Sequence, residues 1–260
     1  MASPECRSNL SQLRSPFPPS PRETADIESA SDDYARRFAG PSGTWMLTVQ
    51  ELGFLNLLAG APGVTILDVG GGHGQLALPL SRGGWRVTVL ASDPVCRHRI
   101  GAAVDAGQLA FVVGDLLRFP FPDRSFDTVV SVRMLTHCRR WEEFVGELCR
   151  VARRAVIVDY PTSQSANRIA PALFGAKKKL EGNTRHWRLF RHREVEEAFA
   201  AAGFSVAERR NQFFLPMVLH RLLRFLPASK ALEAVAAALG FTRRWGSPVI
   251  LEARRGIAPR

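Results

Sequence analysis

The chain predicts an α/β fold, a doubly wound and mostly parallel sheet of seven strands, on three observations. Short apolar runs alternate with helix-forming stretches from residue 64 to 160, the rhythm of a parallel sheet covered by helices on both faces. The runs lack apolar–polar alternation, as strands buried on both faces do. The first run, Thr65–Val69, breaks into Gly70-Gly71-Gly72-His73-Gly74, four glycines within five residues. A turn so poor in side chains lets backbone approach a ligand closely, and ligands bind at the carboxyl ends of strands in open α/β sheets.

Taken in order, residues 1–28, rich in Ser and Pro, read as a disordered leader. Residues 29–63 read as N-terminal helices: a helical stretch from Asp32 to Phe38, then an amphipathic helix over 45–58 with Leu47, Leu52, Phe54, Leu55 and Leu58 as its apolar positions, ended by Gly60 and Gly63. The core, 64–160, reads as strand 65–69, helix 75–81, strand 86–90, helix 95–106, strands 110–113 and 128–132, helix 141–152 and strand 155–159. A basic segment, 161–193, follows; then helix 194–202, strand 204–209, a second long segment, 211–248, and a last strand, 249–253. No second apolar core is visible, so residues 29–260 are expected to form one domain with helical lid insertions.

The formal net charge is +11, and its location is more informative than its size. Lys plus Arg equals Asp plus Glu over residues 1–160, so the excess lies in the last hundred residues and within the two long segments. That asymmetry points to an anionic partner or to an arginine-rich, solvated surface. Four cysteines without CxxC spacing predict a reducing, cytoplasmic protein with no metal site. No run of about 18 apolar residues is present to cross a membrane, and the N-terminus lacks the apolar stretch of a secretory signal.

Chemistry-bearing residues follow the glycine turn in a definite order. Asp68 stands on the strand entering it. Asp93, nineteen residues after Gly74, ends the second strand, where an acidic side chain can accept bonds from both hydroxyls of a ribose. Asp115 and Leu116 follow the third strand, where a carboxylate can accept from an adenine amine. His137 lies just past the fourth strand, with an unperturbed pKa suited to a general base; a positioning role fits it equally. Tyr160, His186 and His192 are weaker base candidates, and Tyr34 and Arg37 could close over the turn.

These features in this order resemble the class I S-adenosylmethionine-dependent methyltransferases, a Rossmann-like family, and within it the type 11 group that includes quinone and small-molecule methyltransferases. The resemblance covers residues 64–160. It implies an antiparallel last strand, S-adenosyl-L-methionine as cofactor, Asp68, Gly70, Gly72 and Gly74 around its methionine end, Asp93 at the ribose, and Asp115 with Leu116 at the adenine. Gly71 and His73 stand where the family more often has Cys and Thr or Ser. A nicotinamide-dependent dehydrogenase is the competing reading, though the turn lacks the spaced third glycine of G-x-G-x-x-G.

The two insertions should leave the sheet on the cofactor edge and so shape the acceptor site. Residues 161–193 carry eight basic residues against Glu181, and 211–248 carry five against Glu233. In 215–226, Leu215, Val218, Leu219, Leu222, Leu223 and Leu226 fall on one helical face and His220, Arg221 and Arg224 on another. This reads either as a lid packed on the core or as an interfacial helix on an anionic membrane. A lipid-like or small-molecule acceptor is therefore expected, with peripheral membrane contact. An RNA substrate held by Lys177, Lys178, Lys179, Arg185, His186, Trp187 and Arg188, and a non-catalytic cofactor- or partner-binding role, are the alternatives.

Overall fold

The computed structural model describes residues 22–60, 63–165, 186–216, 219–220 and 225–256. The strands are β1 (Thr65–Val69), β2 (Arg86–Ala91), β3 (Ala110–Val113), β4 (Phe126–Ser131), β5 (Ala152–Tyr160), β6 (Phe204–Asn211) and β7 (Val249–Arg255). They form one sheet in the order β3-β2-β1-β4-β5-β7-β6. β1 to β5 run parallel, and β7 runs antiparallel between β5 and β6. The expected seven-stranded, mostly parallel sheet with an antiparallel last strand is what the chain forms. Because β1 pairs with β2 on one side and β4 on the other, the topological switch point lies at the carboxyl ends of β1 and β4, beside the glycine turn.

The period-two alternation of strand side chains divides the core between two faces. Leu67, Val69, Val129, Val156 and Val158 pack with Trp141, Phe144 and Leu148 of α6 (Trp141–Val151) and with Val195 and Phe199 of α7 (His192–Ala201). Ile66, Val87, Val89, Val130, Ile157 and Ile250 pack with Phe54, Leu57 and Leu58 of α3 (Gly40–Ala59) and with Ala77 and Leu80 of α4 (Ala77–Arg82). By the same alternation Asp68 and Asp159 belong to this second face, Asp159 bonded to Gln50 of α3 and Asp68 to the backbone of Ala77 in α4.

Several expected boundaries move. The leader does not extend to residue 28: α1 (Ala25–Ser29) is part of the fold, with Asp26 fully buried and accepting from the Ser92 N–H at 2.6 Å and the Ser92 hydroxyl at 2.5 Å. α2 (Asp32–Arg36) follows, capped by the Ser31 hydroxyl, which accepts from the Tyr34 N–H. α3 begins at Gly40 rather than 45, and Leu52, expected on its buried face, is exposed. The helix expected over 95–106 is broken into a 3₁₀ turn, Pro94–Arg97, and α5 (Gly101–Asp105). β3 and β6 are sheet edges and are largely exposed, unlike the central strands. The segment after β6 leads to α8 (Leu226–Ala238) and α9 (Phe241–Trp245).

Candidate active site

The glycine turn opens with Gly70 at φ 77° and closes with Gly74 at φ 79°, flanking a 3₁₀ turn over Gly71–His73. A Cβ at Gly70 would also press on the Met134 side chain at 2.7 Å, and one at Gly71 would overlap the Asp68 carboxylate. The turn therefore lies directly on Asp68, and side chains are excluded there by both backbone conformation and space. Gly72 is wedged against Cys96 and Ala30. The N-terminal helices complete the wall: the Tyr34 ring meets His73 edge-on at 6.1 Å.

A cleft at this switch point is lined by Ser29, Asp68, Gly70, Gly71, His73, Gln75, Val132 and Arg133. Its electrostatics are unusual. Burial pushes the Asp68 carboxyl up to about 7 against the opposing pull of the Ala77 N–H and Arg133, and Asp68 Oδ1 is buried without a hydrogen-bond partner. Burial likewise pushes Asp159 up to about 6, although its Oδ1 accepts the Arg133 backbone N–H at 2.5 Å and its Oδ2 accepts Gln50 Nε2 at 2.6 Å. Gln75 Nε2 donates in turn to Gln50 Oε1 at 3.1 Å. His73 is pushed down to about 4 by burial, Arg133 and Arg99, and both its ring nitrogens are buried and unpartnered.

Arg133, which the sequence did not single out as a site residue, is the cation of this cleft. It is a non-glycine residue at φ 57° immediately after β4, a backbone state that costs free energy and persists where the surroundings impose it. Its guanidinium lies over the Phe38 ring at 4.9 Å and the Tyr34 ring at 5.4 Å. Its Nε and Nη1 are nevertheless buried with no acceptor. A buried guanidinium with unmet N–H groups, facing the same cleft as a carboxylate with an unmet oxygen, is a matched pair of receptors for a zwitterion, one for a carboxylate and one for an ammonium.

The other expected site residues follow the carboxyl ends of β2, β3 and β4. Asp93 Oδ1 accepts the Val95 N–H at 2.8 Å, capping the 3₁₀ turn with one of its two oxygens. Asp115 Oδ1 accepts the Leu117 N–H at 2.8 Å, and Leu116 beside it is fully buried. Asp68 lies near the carboxyl end of β1, and Asp93 and Asp115 follow the adjacent strands β2 and β3. His137, in the 3₁₀ turn Leu135–His137 past β4, has its Nδ1 2.7 Å from the His186 carbonyl; that contact places the proton on Nδ1 and the basic lone pair on Nε2.

Some candidates are engaged elsewhere. The Tyr160 hydroxyl bonds to His192 Nδ1 at 2.8 Å within the α7 side of the core, where burial pushes the phenol well above its usual range. Arg188 bonds Glu194 at 2.8 Å and stacks over Trp141 and Phe190, so it does not present a free cation for RNA. Lys177, Lys178, Lys179 and Arg185 lie outside the described residues. Of the expected interfacial helix over 215–226, Val218, Arg221, Leu222, Leu223 and Arg224 also lie outside them. His220, assigned there to the polar face, is fully buried: its Nε2 is 2.9 Å from Glu233 Oε1, and Trp45 and Phe213 flank its ring. Leu226 belongs to a separate helix, α8.

Residues 67–158 match the methyltransferase domain family. Among curated proteins, the chain is 25% identical over 167 residues to the ubiquinone biosynthesis O-methyltransferase of Rhizobium etli, covering 60% of this chain and 65% of that one. It is 29% identical over 151 residues to the demethylmenaquinone methyltransferase of Beutenbergia cavernae, covering 54% and 60%. The matches thus span less than two thirds of these relatives' lengths. Among solved structures, the magnesium protoporphyrin IX methyltransferase of Synechocystis with bound SAH superposes with a TM-score of 0.59 at 18% identity, covering 86% of this chain and 94% of that one, a likeness of fold. The nicotinamide reading has no support beside this match. With a methyltransferase domain at residues 67–158 and a β3-β2-β1-β4-β5-β7-β6 sheet, the chain is similar in sequence over that stretch, and in fold, to the class I S-adenosylmethionine-dependent methyltransferases.

Proposed function

We propose that the chain binds S-adenosylmethionine at the switch point and transfers its methyl group to a small, apolar, quinone-like acceptor. The observation that carries the first half is the cleft holding Asp68 Oδ1 and Arg133 Nε and Nη1, all buried and unpartnered. A methionine end, which bears an ammonium and a carboxylate, meets both needs. Asp93, with one oxygen left over from capping, suits the ribose hydroxyls, and Asp115 with buried Leu116 suits the adenine. The second half draws support from the two quinone-pathway relatives.

When bound, the sulfonium supplies an already activated methyl group, so the protein's task is alignment and exclusion of water. The glycine turn gives close backbone approach, and Tyr34 and Phe38 of the N-terminal region screen the cleft from solvent. His137 is the proposed base for a hydroxyl or amine acceptor, a reading supported by its Nδ1 contact with the His186 carbonyl, which orients the ring.

Binding of S-adenosylhomocysteine by calorimetry, with wild type and Asp93→Ala, tests the site. Loss of charge-assisted bonds to the ribose should weaken affinity about 30-fold, and unchanged affinity would refute the assignment. Labelled-methyl transfer to quinol, lipid and RNA fractions tests the acceptor. Incorporation into RNA alone would replace the quinone-like acceptor by RNA, and binding without any turnover would make the chain a non-catalytic binder.

A further inference from the structure

We infer that the outer face of α8 and α9 is a docking surface for an anionic lipid bilayer. On α8, Ser229, Glu233 and Ala236 are buried against the rest of the fold. Along the flank next to that buried strip, Phe225 (62% exposed), Leu232, Val235 (59%) and Leu239 (62%) recur at helical spacing and form one apolar stripe in solvent. Phe241 and Trp245 of α9, both exposed, extend it; their rings are 5.8 Å apart, and the Arg244 guanidinium lies over Trp245 at 5.2 Å. A clustered apolar face of this kind on a soluble fold marks a contact surface.

Charge selects the partner. The acidic residue within 211–248 is Glu233, and it is turned inward: its oxygens accept the Phe214 and Leu215 N–H groups at 2.9 Å and face His220 Nε2. The cations of α8 and α9 are Lys230, Arg243 and Arg244, of which Arg244 lies over Trp245 at the end of the stripe, and their segment leaves no negative charge in solvent. An apolar stripe with cations and a tryptophan is the composition of an element that lies in the headgroup region. Nucleic acid would be served by the cations but not by leucine and valine, and a protein partner would not require the acidic group to be withdrawn. At about 1.5 Å per residue, thirteen residues reach only about 20 Å, so α8 lies on a bilayer rather than across it.

The surface is also connected to the site. α8 packs on α3, and α3 carries both Trp45, against His220, and Gln50, hydrogen-bonded to Asp159 at the cofactor edge. A bilayer at α8 would bring an apolar acceptor to the edge where the methyl group is presented. The biological sense of this docking rests on the proposed apolar acceptor; its measurement does not, because vesicle binding needs no turnover.

The full chain is sedimented with phosphatidylcholine vesicles with and without phosphatidylglycerol. Association is expected with the anionic vesicles only and should fall as salt rises. Arg243→Glu with Arg244→Glu should lower partitioning at least about 25-fold, about fivefold for each basic side chain lost. Val235→Glu with Leu239→Glu should lower it at least about tenfold, with the melting temperature of both variants held near wild type because the positions are exposed. Vesicles should blue-shift tryptophan emission in wild type and not in Trp245→Phe. Absence of wild-type association at low salt overturns the inference. So does binding lost with the arginines but kept in Val235→Glu/Leu239→Glu, which would indicate a purely electrostatic, RNA-like partner. A dimer in sedimentation velocity that the apolar substitutions split, without vesicle binding, would assign the face to a second copy.

Discussion

Asp127 and Asp68 stand on neighbouring strands at opposite ends of the sheet, and their environments differ in kind. At the amino end of β4, Asp127 Oδ2 accepts the Val64 and Thr65 N–H groups at 3.0 and 3.1 Å and the Thr65 hydroxyl at 2.8 Å, while Oδ1 accepts from Arg153 at 2.6 Å. Burial alone would raise this carboxyl; the bonds overcome it and hold the group far below the usual range. At the carboxyl end of β1, Asp68 keeps a buried oxygen without a partner and is pushed up to about 7. A carboxylate whose lone pairs are met within the fold stabilises it, whereas one left unmet costs stability until something binds. On the proposed function, the first serves folding and the second awaits a ligand.

The largest effect expected from breaking this contrast is on stability. Asp127→Ala leaves two strand N–H groups, a hydroxyl and a guanidinium without their acceptor. It should cost about 3 kcal/mol, lowering the melting temperature by about 6–12 °C, while the molecules that remain folded bind S-adenosylhomocysteine as wild type does. A comparable loss of ligand affinity per folded molecule would remove the distinction between the two ends.

Asp68→Asn and Arg133→Leu should show the reverse pattern. Each removes one receptor of the zwitterion, so S-adenosylhomocysteine affinity is expected to fall about 30-fold, roughly 2 kcal/mol, with melting temperatures close to wild type. Methylthioadenosine, which lacks the amino-acid end, should bind wild type and both variants alike. If Arg133→Leu leaves S-adenosylhomocysteine binding unchanged, the guanidinium serves only Tyr34 and Phe38.

The pair of carboxylates also shows what sequence conveys. The seven strands were legible because buried parallel strands are unbroken apolar runs, and Asp68, Asp93 and Asp115 were legible because each directly follows or ends such a run. Arg133 was not, because its role depends on a positive φ after β4 and on rings from residues 34 and 38, nearly a hundred positions away. His220 looked polar-facing because helical periodicity reports only its own segment, while Glu233 and Trp45 bury it from elsewhere. Asp26 was absorbed into the leader because Ser- and Pro-rich composition runs up to it, and its partner, Ser92, is supplied by a distant strand end.

The smallest expected effect, and the one that separates the two ends most cleanly, is the pH dependence. Asp68 has a folded pKa raised from 3.8 to about 7. The native state therefore binds more protons than the unfolded chain between about pH 4 and 7, and this group's contribution to stability is fully present below pH 4 and lost as pH rises through 7. Asp127 has the opposite sign: its contribution is present above pH 4 and is lost only in strong acid. An ammonium-bearing ligand needs Asp68 ionised, so S-adenosylhomocysteine affinity should rise about tenfold between pH 6 and 8 and then level. His73, held near 4, stays neutral across this window. Asp159, near 6, would place a midpoint lower. In Asp68→Asn the affinity profile should therefore be flat above pH 6.5; a profile that keeps its tenfold rise in that variant would move the titrating group away from Asp68 and dissolve the distinction between the two ends of the sheet.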